Sequence, residues 1–68
     1  MNDAERANKH FSPEELAERE GVSLQTVYGW NKMRTGPRYM RIGRHVRYRA
    51  ADVLAWEELR TVPTGRTA

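Results

Sequence analysis

Helical periodicity stops at Thr35-Gly36-Pro37, and a two-residue alternation begins at Arg38. That switch constrains the fold more than any other feature of the chain. Proline disfavours the helical region in the residue before it, and the adjacent glycine adds a second break. Two short helical patterns lie ahead of the break, with a hairpin pattern and a third helical pattern behind it. The expected fold class is therefore mainly α with a small β-hairpin.

Ser12-Pro13-Glu14-Glu15 is a helix-start signal. The Ser12 hydroxyl can accept from the Glu15 amide, Glu15 can reach back to complete a capping box, and proline suits the first helical position. Phe11 stands where a hydrophobic staple places its outer residue, with Leu16 at the matching inner position. Gly21 ends this helix, since the residue past a last turn often takes a left-handed backbone. Val22 reads as a buried plug, and Ser23 caps a second helix over Leu24 to Met33. At 100° per residue, Thr26, Val27 and Trp30 share one side, while Gln25, Tyr28 and Lys32 share the other, with Leu24 and Gly29 at its margins. Two short helices around a glycine-containing turn form a helix-turn-helix pattern.

Beyond the break, Met40 and Ile42 alternate with Tyr39 and Arg41, and Val46 and Tyr48 alternate with Arg47 and Arg49. A three-residue loop, Gly43-Arg44-His45, would pair Ile42 with Val46 and Met40 with Tyr48 and keep one face apolar. A two-residue loop would mix the faces, so the longer loop is expected. It would also set Arg41 opposite Arg47, a like-charge pair that an external anion would have to neutralise. Ala50 to Arg60 is expected as the third helix, with Val53, Leu54, Trp56 and Leu59 on its apolar side. Residues 1–9 read as a flexible arm, residues 10–60 as the folded domain and residues 61–68 as a flexible tail.

Charge is segregated along the same divisions. Residues 21–50 carry seven lysines and arginines and no acid, whereas residues 1–20 carry six acids against three bases. A basic block confined to one stretch is the footprint of a polyanion-binding surface. The 68 residues contain no cysteine, which excludes disulfides and thiolate metal sites. His10 and His45 stand far apart without a thiolate, so no metal is expected. Ser12 and Ser23 are better explained as caps than as nucleophiles, and no catalytic constellation or cofactor motif is legible. The expectation is a non-enzyme without cofactor or metal. With no long apolar run and no signal-peptide pattern, it is also expected to avoid the membrane and to lie in the cytoplasm, associated with the nucleoid of a bacterial host cell.

The phrases Phe11-Ser12-Pro13-Glu14-Glu15-Leu16-Ala17, Gly21-Val22-Ser23, Thr26-Val27-Tyr28-Gly29-Trp30, Arg41-Ile42-Gly43-Arg44-His45-Val46-Arg47-Tyr48 and Asp52-Val53-Leu54-Ala55-Trp56 carry a resemblance. They resemble the small excisionase-type DNA-binding proteins of phages and integrated elements, also called recombination directionality factors, which have a MerR-like winged helix-turn-helix domain. The resemblance implies that the second helix enters the major groove of double-stranded DNA, offering Ser23, Gln25, Thr26, Tyr28 and Lys32, with Arg34 at its end. It implies that the hairpin wing contacts the minor groove and its phosphates through Arg41, Arg44, His45 and Arg47. The chain departs from the family pattern at Leu24 and Gly29, where arginine is frequent, which implies sparse base reading. The implied task is assistance to an integrase in site-specific excision, by bending or coating DNA, recruiting the integrase and self-associating head to tail. Small AlpA-like transcription regulators share these phrases, so a promoter-binding regulator is the second reading. A protein-interaction adaptor on a helix-turn-helix scaffold is the third.

Overall fold

The computed structural model describes residues 9–64, so the expected arm over residues 1–8 and residues 65–68 of the expected tail lie outside the described residues. Its elements in chain order are β1 (His10–Phe11), α1 (Pro13–Glu20), α2 (Leu24–Met33), β2 (Met40–Ile42), β3 (His45–Arg49) and α3 (Ala50–Arg60). This is a winged helix-turn-helix with three helices and a small antiparallel sheet.

The helix ends follow local chemistry. Ser12 Oγ accepts from the Glu15 amide at 3.1 Å, and Glu15 Oε1 accepts from the Ser12 amide at 2.9 Å. The capping box is complete, and Pro13 needs no partner for the amide hydrogen it lacks. Gly21 closes α1 with φ 71°. Ser23 Oγ caps α2 by accepting from the Thr26 amide at 3.1 Å. Between the helices Val22 packs against the core but stays partly exposed.

The sheet has the strand order β1-β3-β2. Phe11 lies opposite Tyr48 and His10 opposite Arg49, so the segment expected only as a staple also adds a strand to the wing. The hairpin register differs from the expected one. Ile42 pairs with His45, Arg41 with Val46 and Met40 with Arg47 across a two-residue Gly43-Arg44 loop. Gly43 takes φ 63° at the first loop position, which is where a two-residue hairpin turn calls for glycine. Turn chemistry outweighs face matching here because the wing tip has little core to satisfy: Ile42 is half exposed and His45 is exposed. Directly opposed residues share a face, so Met40 and Ile42 lie with His45 and Arg47, away from Val46 and Tyr48. The expected Arg41–Arg47 opposition does not exist, and the two side chains leave opposite faces of the ribbon.

Leu16, Ala17, Val27, Tyr48 and Val53 form the core, with Phe11, Val22, Trp30 and Val46 packed around it. One residue from nearly every element meets at this point, with the Tyr48 ring enclosed among the helices. Its hydroxyl donates to Asn31 Oδ1 of α2 at 2.8 Å, and burial pushes that phenol's pKa upward. Tyr39 meets the same ring edge-on at 5.9 Å between centroids. The α3 side expected to be apolar is only partly buried. Val53 is enclosed and Trp56 is half-buried, but Leu54 and Leu59 are 57% and 86% exposed. At 100° per residue, Trp56, Glu57 and Arg60 fall close to Val53, whereas Leu54 and Leu59 turn roughly 100° and 120° away on opposite sides.

Beyond the enclosed Val53, two groups of contacts bind α3 to the rest. Trp56 lies 4.9 Å from Trp30 between ring centroids, and its Nε1 donates to the Thr35 carbonyl at 2.9 Å. Arg60 covers the Trp56 ring and donates to the same carbonyl at 2.6 Å. Next to Trp56 in the same half of α3, Glu57 takes a bidentate pair from Arg19 of α1, at 2.6 and 2.8 Å. That pair holds the Glu57 carboxyl down at about 2. Glu20 beside it is pushed up to about 7, chiefly by burial and then by its neighbour Glu57.

Removing the Tyr48 hydroxyl leaves the half-buried Asn31 oxygen without its donor. Tyr48→Phe is therefore expected to lower unfolding free energy by about 1 kcal/mol in a denaturant titration. The carboxyl pair sets a pH signature. Glu20 binds its proton more tightly in the folded chain than at its ordinary 4.5, so stability falls as pH rises from that value through about 7. Glu57, depressed to about 2, contributes stability above 4.5 that is lost as pH falls toward 2. Melting curves of Glu20→Gln are expected to lack the wild-type decline between pH 5 and 8 and to keep the acid loss. An identical decline in the variant would refute this assignment.

Candidate nucleic-acid interface

The outward side of α2 carries Gln25, Tyr28 and Lys32, all exposed, with Tyr28 at 48%. Ser23 and Thr26 stand at its start, and their hydroxyls lie 3.0 Å apart. Thr26 is exposed rather than turned inward with Val27 and Trp30. The Tyr48–Asn31 bond sets the wing against the flank of this helix. Arg41, Arg44 and His45 are exposed on the wing. Arg47 is half-buried, and its Nη1 donates to the neighbouring Val46 carbonyl at 2.7 Å. The arginines therefore surround the wing tip, with Arg41 on one face, Arg47 on the other and Arg44 in the loop. A ribbon with cations on both faces suits a groove walled by phosphates on both sides.

Salt bridges sort the cations into two classes. Lys9 pairs with Glu15, Arg19 with Glu57 and Glu20, and Arg49 with Asp52. Among the described residues, Lys32, Arg34, Arg38, Arg41 and Arg44 make no salt bridge and no side-chain hydrogen bond. Every acid among the described residues is on α1 or α3. Within a small domain that has carboxylates available, five unneutralised cations on α2, the turn after it and the wing leave a surface of one sign. Arg38 and Tyr39 were not among the residues expected at the site. They line a cleft of about 380 Å³ beyond the end of α2, together with Arg34 and Asn31. Arg38 lies within the acid-free block, but only the folded turn brings it beside Arg34.

A family model for the helix-turn-helix domain matches residues 11–60. The chain belongs to the family of helix-turn-helix domains. No curated protein matches it closely enough to count as a relative. The helix-turn-helix domain is a DNA-binding module, and the match runs from β1 to the last residue of α3. Among the described residues no group of histidines and carboxylates could hold a metal ion, and no helix is long and apolar enough to cross a membrane.

The two classes of cation make separable predictions. Arg44→Ala is expected to weaken binding to every duplex alike and to reduce the salt slope of log K by about 0.9, one phosphate contact. Arg19→Ala is expected to leave that slope unchanged and to lower the melting temperature, because its partner Glu57 is inside the protein. Equal slopes for both variants would contradict the sorting.

Proposed function

We propose that this helix-turn-helix domain binds specific sites on double-stranded DNA and acts as an excisionase, an architectural accessory to integrase-mediated excision. The observation that carries the DNA reading is the set of five unpaired cations arrayed over α2, the turn after it and the wing. Four or five phosphate contacts, depending on whether two cations share one, correspond to a salt slope of about −3.6 to −4.5, steep enough to supply most of the affinity. On this reading the second helix occupies the major groove and the wing the neighbouring minor groove. Gln25 is the side chain best suited to a base edge, since its amide can pair with adenine through two hydrogen bonds. On this reading the hydroxyls of Ser23, Thr26 and Tyr28 bond the phosphate backbone, as hydroxyl groups commonly do. No step requires a catalytic group from this chain, because the strand chemistry belongs to the integrase. Copies bound side by side on DNA would bend or coat the site and present protein contacts to that enzyme.

The excisionase task rests on the residue phrases of both helices and the wing. Promoter regulation uses the same DNA contacts, so the test must read the task itself. A recombination assay with a cognate integrase and its attachment sites is expected to show stimulated excision and suppressed integration. Specific duplex binding without either effect would transfer the chain to the regulator class. Absence of salt-sensitive duplex binding at low salt would favour the adaptor reading over both. Within the DNA reading, Gln25→Ala is expected to relax preference at one base position at a cost of about 1–3 kcal/mol, measured by competition among single-base variants of the site. An unchanged preference profile would remove Gln25 from base reading.

A further inference from the structure

We propose that the cleft beyond the end of α2 is a clamp for one phosphate of the DNA backbone, gripped by Arg34 and Arg38, and that Arg34 holds a strained backbone position to form it. The proposal rests on the duplex-binding reading above and adds a contact point to it.

The two helix ends of the helix-turn-helix supply the comparison. At the end of α1, the Gly21 amide donates to the Glu18 carbonyl at 3.3 Å and the Val22 amide to the Ala17 carbonyl at 3.0 Å. At the end of α2, the Arg34 amide donates to Asn31 at 3.3 Å and the Thr35 amide to Trp30 at 2.9 Å. These are the same paired bonds, and both require a left-handed residue. Gly21 meets that requirement without a Cβ, whereas Arg34 meets it at φ 60° and ψ 40°. Arg34 is the only non-glycine residue with positive φ among the described residues. A bulky side chain there is strained, and glycine is the usual solution.

Among the described residues, the Arg34 side chain itself makes no bond that offsets the strain. The Arg34 side chain makes no hydrogen bond or salt bridge among the described residues, and neither does that of Arg38. Strain of this kind persists where the surroundings enforce it, and it concentrates at ligand-holding positions. The surroundings do enforce it, since Trp56 and Arg60 both donate to the Thr35 carbonyl and pin the turn from behind. The side chain so placed lines the cleft of about 380 Å³ with Arg38, Tyr39, Trp30, Gly36 and Pro37. Two arginines then line an open cleft that has no carboxylate among its lining residues. Their planar forks match phosphate oxygens, while the aromatic and proline walls suit the sugar carbons on either side.

The test compares wild type, Arg34→Gly and Arg34→Gly/Arg38→Ala, reading melting temperature without DNA and duplex affinity across salt concentration. Arg34→Gly is expected to melt a few degrees higher and yet bind more weakly. The double variant is expected to lose about 0.9 from the salt slope, one phosphate's worth, which corresponds to about fivefold weaker binding at roughly 0.15 M salt. A loss of about 1.8 would mean two separate phosphates and would overturn the clamp. An unchanged slope would overturn it as well, as would a melting temperature that falls in Arg34→Gly. Inorganic phosphate supplies a further arm. If it raises the melting temperature of wild type but not of the variants, and the duplex slope is unchanged, the cleft takes a free anion and the DNA assignment is wrong. Wild-type protein that shows no salt-dependent duplex binding would remove the duplex reading and the clamp together. Binding by wild type that the double variant equals would remove the clamp alone.

Discussion

The enclosed ring of Tyr48 fixes the angle between the wing and α2, and the geometry of the candidate interface depends on that angle. The residue sits in the middle of the sheet, opposite Phe11 of β1 and beside Tyr39. Its hydroxyl donates to Asn31 on the inner flank of α2. A buried phenol needs such a partner, and a partner on the helix makes the requirement a positional constraint. With the wing base held in this way, Gln25 and Lys32 on the helix and Arg41 and Arg44 on the wing are presented by one rigid frame. Affinity and sequence preference then come from different places: the unpaired arginines lie mostly on the turn and the wing, while the base-reading amide lies on the helix.

Charge follows the same frame. The acids occupy α1 and α3, where they neutralise the cations near them, and the bidentate Arg19–Glu57 pair joins these two helices. That join lies on the acidic elements, leaving the basic ones free of partners. On either side of Glu57 in the same half of α3, Trp56 and Arg60 hold the turn after α2 through one carbonyl. The third helix thus contributes little apolar area, with Leu54 and Leu59 exposed, but braces the helix-turn-helix at two points.

Much of this was legible in the sequence because it is encoded locally. Ser12, Gly21 and Ser23 are cap residues whose preferences act within a single turn, and the bounds of α1 and the start of α2 follow from them. The acid-free block needs no structure to be seen, and among the described residues it contains every cation that makes neither a salt bridge nor a side-chain hydrogen bond. The register of the wing differs from the one apolar matching predicts because the turn preference of Gly43 prevails at a tip where little is buried. The apolar side of α3 was overcounted because four apolar residues were read as one face, although Leu54 and Leu59 diverge from Val53 in opposite directions. β1 is two residues long and has no periodicity to detect. Arg38 and the left-handed Arg34 emerge only in three dimensions, since the cleft they share is made by a turn whose shape α3 imposes.

The most direct test is to follow backbone amide resonances of the full chain during titration with a cognate duplex. The account predicts shifts concentrated at Ser23 to Arg34, at Arg38 and Tyr39, and at Arg41 to Arg47, with the outer faces of α1 and α3 little changed. Shifts confined to α1, or centred on Leu54, Leu59 and Val62, would contradict it and assign the contact surface to the opposite side of the molecule.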